Sequence, residues 1–218
     1  MTLPAPYYQD DACTIYHGDC REILPELPKV DLVLTDPPYG INADKHAFSA
    51  SGSNGWKCYG DTNWDTNRPA GETLKQVIDC GAISIIWGGN YFADLLPPSM
   101  GWLIWDKGQR KFTLADCEMA WTSMWKAARI YTVPRARALR DGKRHPTQKS
   151  LELMKWCICI ADKVAEIHTI LDPFMGSGTT LRAAKDLGRI SIGIEIEEKY
   201  CEIAANRLRQ EVLSFGGK

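Results

Sequence analysis

Two short segments of this 218-residue chain combine residue types that do chemistry rather than fill space. The first is Asp36-Pro37-Pro38-Tyr39, which stops the apolar run Asp31-Leu-Val-Leu-Thr35. Its parts suit one reaction. The exocyclic amine of adenine or cytosine is a poor nucleophile, because its lone pair is delocalised into the ring. Two acceptors holding the amino hydrogens draw the nitrogen towards tetrahedral geometry and free that lone pair for an electrophilic methyl group. The Asp36 carboxylate is one such acceptor and the Pro37 carbonyl the other, held in place by consecutive prolines of fixed φ. Tyr39 offers a ring on which an extruded base can stack, a contact worth roughly 1–3 kcal/mol per base. That offsets much of the cost of flipping the base. A merely structural Pro-rich turn needs no carboxylate ahead of two prolines and an aromatic.

The second segment is Asp172-Pro-Phe-Met-Gly-Ser-Gly-Thr-Thr180. Gly176 and Gly178 let a ligand approach the backbone closely, and a helix starting there turns free N–H groups towards it. No Gly-Lys-Ser/Thr follows, so this is not a phosphate loop. Glu195, closing the next strand, stands where such folds place a carboxylate for ribose hydroxyls. A nucleoside-containing cofactor is implied, and on these residues alone NAD stays open.

The elements that must position these segments follow from periodicity. Strands are expected at 13–17, 31–35, 82–87, 102–105, 118–122, 168–171 and 190–196, and helices at 73–80, 91–96, 150–160, 181–187 and 198–213. Strands that end in Gly or Pro turns and feed helices predict an α/β fold: an open, mostly parallel sheet covered on both faces. Ligands then sit beyond the carboxyl ends of the strands, where strand order reverses. Residues 41–71, rich in Gly, Ser and Asn, predict a mobile active-site loop. Trp87-Gly-Gly-Asn-Tyr91 could line a base pocket, while Trp102, Trp105, Trp121 and Trp125 are expected to pack the sheet.

Composition narrows the class. With 44% hydrophobic residues the chain suits one domain over 1–218. It has no apolar run long enough for a membrane span and no signal-peptide pattern at its start, which predicts a cytoplasmic protein. Eight cysteines are scattered without C-x-x-C pairs, so neither disulfides nor a metal site is expected. Cys157 and Cys159 read as small buried hydrophobes. Net charge is −1, yet Lys126, Arg129, Arg135, Arg137, Arg140, Lys143, Arg144 and Lys149 crowd one stretch with Asp141 as its acid. Arg135, Arg137, Arg140, Lys143 and Arg144 are the candidates for facing DNA phosphates, within a small target-recognition insertion expected over 106–144.

The chain resembles the amino-group DNA methyltransferases of the β arrangement, in which D-P-P-Y precedes the cofactor loop. Five motifs carry the likeness in order: Gly18-Asp19-Cys20, Asp36 to Tyr39, His145-Pro-Thr-Gln-Lys149, Asp172 to Thr180, and Glu195 in Gly-Ile-Glu-Ile. The resemblance implies a Rossmann-like sheet of seven strands, one antiparallel, permuted so that the catalytic half comes first. It implies S-adenosylmethionine as cofactor, with Asp19 accepting from its adenine and Cys20 beside it. Thr147 and Lys149 would lie near the methionine end, and Asp36, Asp172, Phe174, Gly176, Ser177, Gly178, Thr179 and Glu195 around the rest. It further implies double-stranded DNA as partner, a restriction–modification setting and, for some members, a homodimer. The family's motif continues with proline where Ser150 stands here, and serine can cap the following helix. Adenine N6 is favoured over cytosine N4 because Asp rather than Ser occupies position 36. RNA or protein-glutamine methylation, or a DNA-binding protein with a vestigial site, are the remaining alternatives.

Overall fold

The computed structural model describes residues 2–41, 66–110, 115–134 and 149–210. Its elements, in chain order, are β1 (Tyr8–Gln9), β2 (Cys13–His17), α1 (Cys20–Ile23), β3 (Val30–Thr35), α2 (Gly71–Asp79) and β4 (Gly81–Trp87). There follow β5 (Trp102–Asp106), β6 (Cys117–Thr122), β7 (Arg129–Thr132), α3 (Leu151–Ala161), β8 (Thr169–Asp172), α4 (Thr179–Asp186), β9 (Ile190–Glu195) and α5 (Glu198–Leu208).

The strands form one sheet in the order β1-β2-β9-β8-β3-β4-β6-β5-β7. Strands β2, β9, β8, β3 and β4 are parallel, and β6 runs antiparallel between β4 and β5. The expected seven strands with one reversed are therefore present as β2 to β5 in that order. Two short edge strands extend them, β1 antiparallel to β2 and β7 parallel to β5. Neither edge strand was anticipated, since β1 has two residues and β7 is largely exposed, which leaves little apolar pattern to read.

Strands β3 and β4 are apolar on both faces because helices cover both. Leu32, Leu34, Ile83, Ile85 and Trp87 meet Leu153, Met154, Cys157 and Ile158 of α3 and Ala183 and Ala184 of α4. On the other face Val30, Val33, Leu171 and Ile194 pack with Ile23 of α1 and Val77 of α2. Helix α5 lays Cys201, Ala204, Ala205 and Leu208 against Cys13 and Ile15. Ser150 caps α3, its hydroxyl accepting from the Leu153 N–H at 3.2 Å, so the missing proline is replaced by a working cap.

Several expectations change. Within 106–144, β6 and β7 belong to the sheet framework rather than to an added unit. Gly71 begins α2 rather than ending a loop. The expected helix at 91–96 is a short 3-10 turn at Gly89–Phe92. Trp125 does not pack the sheet: it is 83% exposed in the turn after β6, at the end of the strands opposite their carboxyl termini. Cys159 is exposed, on the outer side of α3, while Cys157 is buried. No helix among the described residues is long and apolar enough to cross a membrane.

The central pair β3–β8 is fastened at both ends. At the start, Asp31 Oδ2 accepts from the His168 N–H (2.9 Å), the Thr169 N–H (2.8 Å) and the Thr169 hydroxyl (2.8 Å). At the finish, the Thr35 hydroxyl donates to Asp172 Oδ1 at 2.7 Å. Replacing Asp31 by Ala strips two backbone donors of their acceptor, and urea unfolding should show a loss of about 1–2 kcal/mol.

Candidate active site

Asp36 emerges just beyond the end of β3 with both carboxylate oxygens engaged. Oδ2 accepts from Lys149 Nζ at 2.6 Å, and Oδ1 accepts from the Tyr39 hydroxyl. The Tyr39 ring stacks on Tyr91 with centroids 4.7 Å apart and planes 15° from parallel. It also presses on Gly88, where φ is +70° and a Cβ would fall 2.1 Å from a ring carbon, so only glycine fits. Trp87 is fully buried core. The 87–91 segment thus seats Tyr39, and the stacking platform expected of Tyr39 already carries Tyr91.

Lys149 holds more than Asp36. Its ammonium lies 3.0 Å from Glu118 Oε2 and 3.2 Å from the Tyr39 oxygen, and Glu118 Oε1 lies 2.9 Å from Lys107 Nζ. Both lysines are buried, at 6% and 8% exposure, which is rare unless the charge is paired. Burial raises Asp36 despite the pull of Lys149. Burial would raise Glu118 too, but Lys149 and Lys107 together bring it down to about 2. Burial opposes the charge on Lys149, yet Asp36 and Glu118 hold its pKa well above the ordinary value. Acid and base alternate along the row, and the cluster is neutral.

The cofactor half faces the same space. Asp172 ends β8 and accepts from Thr35 and from the Phe174 N–H at 3.2 Å. Burial pushes it up to about 6 against the hydroxyls of Thr180 and Thr35. Glu195 ends β9 and accepts from the Gly176 N–H and the Glu197 N–H, each at 2.9 Å. Burial raises it to about 7, with Asp172 adding to the rise. A Cβ on Gly176 would meet nothing within 4 Å, so its backbone faces open space. Asp19 caps α1 and is held by the Arg21 guanidinium, which keeps its pKa below the usual carboxylate range.

One cavity of about 730 Å³ joins the two halves. Asp19, Cys20, Asp36, Lys149, Asp172, Phe174, Gly176, Ser177, Thr179 and Glu195 all line it. Pro37 is buried and Tyr39 partly so, and neither is on the lining, whereas Pro38 is. Gly178 is also off the lining. Its φ of +72° at the start of α4 and an Ala204 Cβ at 2.8 Å from any Cβ make it a packing glycine. Lys149, expected near the cofactor's methionine end, lines the cavity and is paired with Asp36 and Glu118. Thr147, Arg135, Arg137, Arg140, Lys143 and Arg144 lie outside the described residues. Lys126 and Arg129 flank the turn between β6 and β7, at the far end of the sheet from the cavity.

Sequence reasoning missed Glu118 and Lys107, and named Tyr91 only within a segment that could line a base pocket. Glu118 sits in a strand and Lys107 follows one, so only the cross-strand pairing of Trp105 with Glu118 brings them together. Arg68 was missed as well. It lines the cavity mouth and is anchored by Asp94 at 2.5 Å and the Tyr91 carbonyl at 2.9 Å.

Fold and site together define a doubly wound α/β protein with an acidic Asp-Pro-Pro turn beside a nucleoside-sized cavity at the switch point of its sheet. The family model described as DNA methylase matches residues 103–206. The Type II methyltransferase M.ScaI of Streptomyces caespitosus is 26% identical over 98% of this chain and 86% of its own length. M2.DpnII of Streptococcus pneumoniae, also a Type II methyltransferase, is 28% identical over 97% of this chain and 95% of its own. Among solved structures, M1.HpyAVI shares 26% identity at a TM-score of 0.54, covering 91% of this chain and all of that one. The cytosine-N4-specific PvuII DNA methyltransferase shares the fold at a TM-score of 0.60 and 16% identity, over 96% of this chain and 90% of that one. The family model and these relatives support a DNA amino-methyltransferase.

The raised pKa of Glu195 has a consequence for stability. Because its folded value of about 7 exceeds the ordinary 4.5, ionising it costs the folded state increasingly from pH 4.5 to 7. The stability difference between Glu195→Gln and the parent should therefore shift in favour of the variant across that window, by at most about 3 kcal/mol. Unfolding curves at pH 4.5 and 8 check it. An equal difference at both would refute the shift.

Proposed function

We propose that the protein transfers a methyl group from S-adenosylmethionine to N6 of adenine in double-stranded DNA. The observation that carries this reading is the shared cavity, whose lining includes Asp36 together with the Gly176–Glu195 cradle. The cradle suits the cofactor: an unfilled approach at Gly176, a carboxylate for ribose hydroxyls at Glu195, and a volume in the range of small-molecule sites. M1.HpyAVI and the putative DNA modification methylase TTHA0409 were each solved with S-adenosylmethionine, which supports the same assignment here.

When bound, S-adenosylmethionine supplies an electrophilic sulfonium methyl: the amine lone pair forms the N–C bond while the C–S pair stays on sulfur. Asp36 and the Pro37 carbonyl hold the two amino hydrogens and so localise the lone pair. The surplus proton of the methylated amine passes to the Asp36 carboxylate, whose pKa burial has raised, and from there to solvent. Thr35 and Thr180 hold Asp172, and Asp172 in turn shapes the turn through the Phe174 N–H. Positioning and a preorganised polar site supply most of the acceleration. The cavity-lining Cys20 is no nucleophile in this reading, because the amine itself attacks the methyl group and burial lifts the Cys20 thiol to about 12.

The base reaches Tyr39 by taking the place of Tyr91 on its ring. Adenine is preferred because Asp occupies position 36. Mass spectrometry of nucleosides from methylated DNA tests the choice, with N6-methyladenine expected and N4-methylcytosine overturning it. Asp36→Ala should bind cofactor within a few fold of the parent but lose transfer by about 1,000-fold or more. Full activity in that variant would sink the mechanism.

A further inference from the structure

Lys149 is caught between two carboxylates, 2.6 Å from Asp36 and 3.0 Å from Glu118. In the free protein its ammonium and the Tyr39 hydroxyl together occupy both oxygens of Asp36. An amine arriving on Asp36 must displace one of these donors or share its oxygen. An ammonium left on Asp36 would weaken the carboxylate as acceptor. It would also oppose the positive charge that gathers on the amine nitrogen as the N–C bond forms.

We infer that Glu118, clamped by Lys107, is a positioning residue: it is the second seat that takes the Lys149 ammonium when a base amine docks on Asp36. The inference rests on the methyl-transfer reading above and extends it. Geometry supplies each requirement. Glu118 offers Oε2 to Lys149 while Oε1 is tied to Lys107 at 2.9 Å, so the seat is fixed from its far side. Lys107 is itself confined, 8% exposed and 5.4 Å from the Trp105 ring centroid. The Trp87 ring, 5.7 Å from Lys149 Nζ, gives the ammonium a second face to rest on. Because the four charges alternate, handing the ammonium from Asp36 to Glu118 leaves the cluster neutral. Its flexible stem lets Lys149 make that move without disturbing the backbone, which the Ser150 cap holds.

The test uses the full chain with cognate duplex DNA and S-adenosylmethionine. It measures single-turnover methyl transfer, cofactor binding by calorimetry, and melting temperature. Glu118→Gln should slow transfer by about 10–100-fold while cofactor affinity stays near the parent's; melting falls, because the buried Lys107 ammonium loses its carboxylate partner. Glu118→Asp, which keeps a shorter seat, should recover part of the rate. The Glu118→Gln Lys107→Met double variant should stay slow, because no seat is restored. Three results overturn the inference: a parental rate in Glu118→Gln, a loss of cofactor affinity equal to the loss of rate, or recovery in the double variant, which would make charge balance the whole effect. Should Glu118→Gln not fold, Glu118→Asp and Lys107→Met carry the test, with both slowed at parental cofactor affinity expected and parental rates overturning it. A parent that transfers no methyl group refutes the underlying function instead, so the two failures are distinct.

Discussion

The structure depends on the parallel pairing of β3 with β8. These strands are distant in sequence yet adjacent in the sheet, and from them the chain moves in opposite directions, β3 to β4 and β8 to β9. A reversal of this kind opens a crevice at the carboxyl ends of the two strands. The residues standing there are Asp36 and Asp172, and the Thr35 hydroxyl, bonded to Asp172, ties the two strand ends together. A slip of one residue in this pairing would turn Leu32 and Leu34 to the wrong face. It would also part the Asp36 turn from the Gly176–Glu195 turn that lines the same cavity. Register in the middle of the sheet is thus what makes a single site from two halves of the chain.

That crevice gathers acids, and each is accommodated differently. Asp19 is neutralised by an exposed guanidinium, Asp172 by threonine hydroxyls and a backbone N–H, Glu195 by two backbone N–H groups, and Asp36 by a buried ammonium. The differences are functional in kind. Hydrogen bonds alone leave Asp172 and Glu195 with pKa values raised by burial, fit to accept from hydroxyl or ammonium groups of a ligand. A buried ion pair is a poor source of stability in itself, since desolvation consumes most of the attraction. Leaving Asp36 buried without that partner would cost more still.

What could be read from the chain, and what could not, divides along the same line. Local signals were legible: the Asp-Pro-Pro turn, the Gly-rich turn before α4, the acidic end of β9, and the run of buried strands, because each is a property of neighbouring residues. The serine replacing proline at 150 could be recognised as a cap for the same reason. Glu118 and Lys107 could not, because their partnership exists only through the β5–β6 register and the placing of Lys149 beside Glu118. Tyr91 was legible as an aromatic near a Gly-Gly turn but not as the partner of Tyr39. Gly178 reads as a ligand-binding glycine in a Gly-x-Gly pattern, yet the close approach of α5 through Ala204 is what demands it. Trp125 read as core from its type alone, whereas the turn after β6 leaves it in solvent.

The free protein is, in this light, a site already satisfied by itself. Lys149 and Tyr39 make the hydrogen bonds to Asp36 that an amine would make, and Tyr91 covers the ring that a base would cover. Unpaired buried acceptors are costly, and an empty amine-binding turn would otherwise carry that cost between substrates. Filling it internally keeps the unliganded fold stable, at the expense of an exchange on binding in which each internal contact gives way to an external one. Such an exchange is nearly even in hydrogen bonds. On the proposed reading, discrimination then falls to what the substrate adds beyond replacement: two amino hydrogens correctly spaced for Asp36 and the Pro37 carbonyl, and a ring flat enough to displace Tyr91. A ligand with one donor, or none, would leave the internal arrangement the more stable of the two.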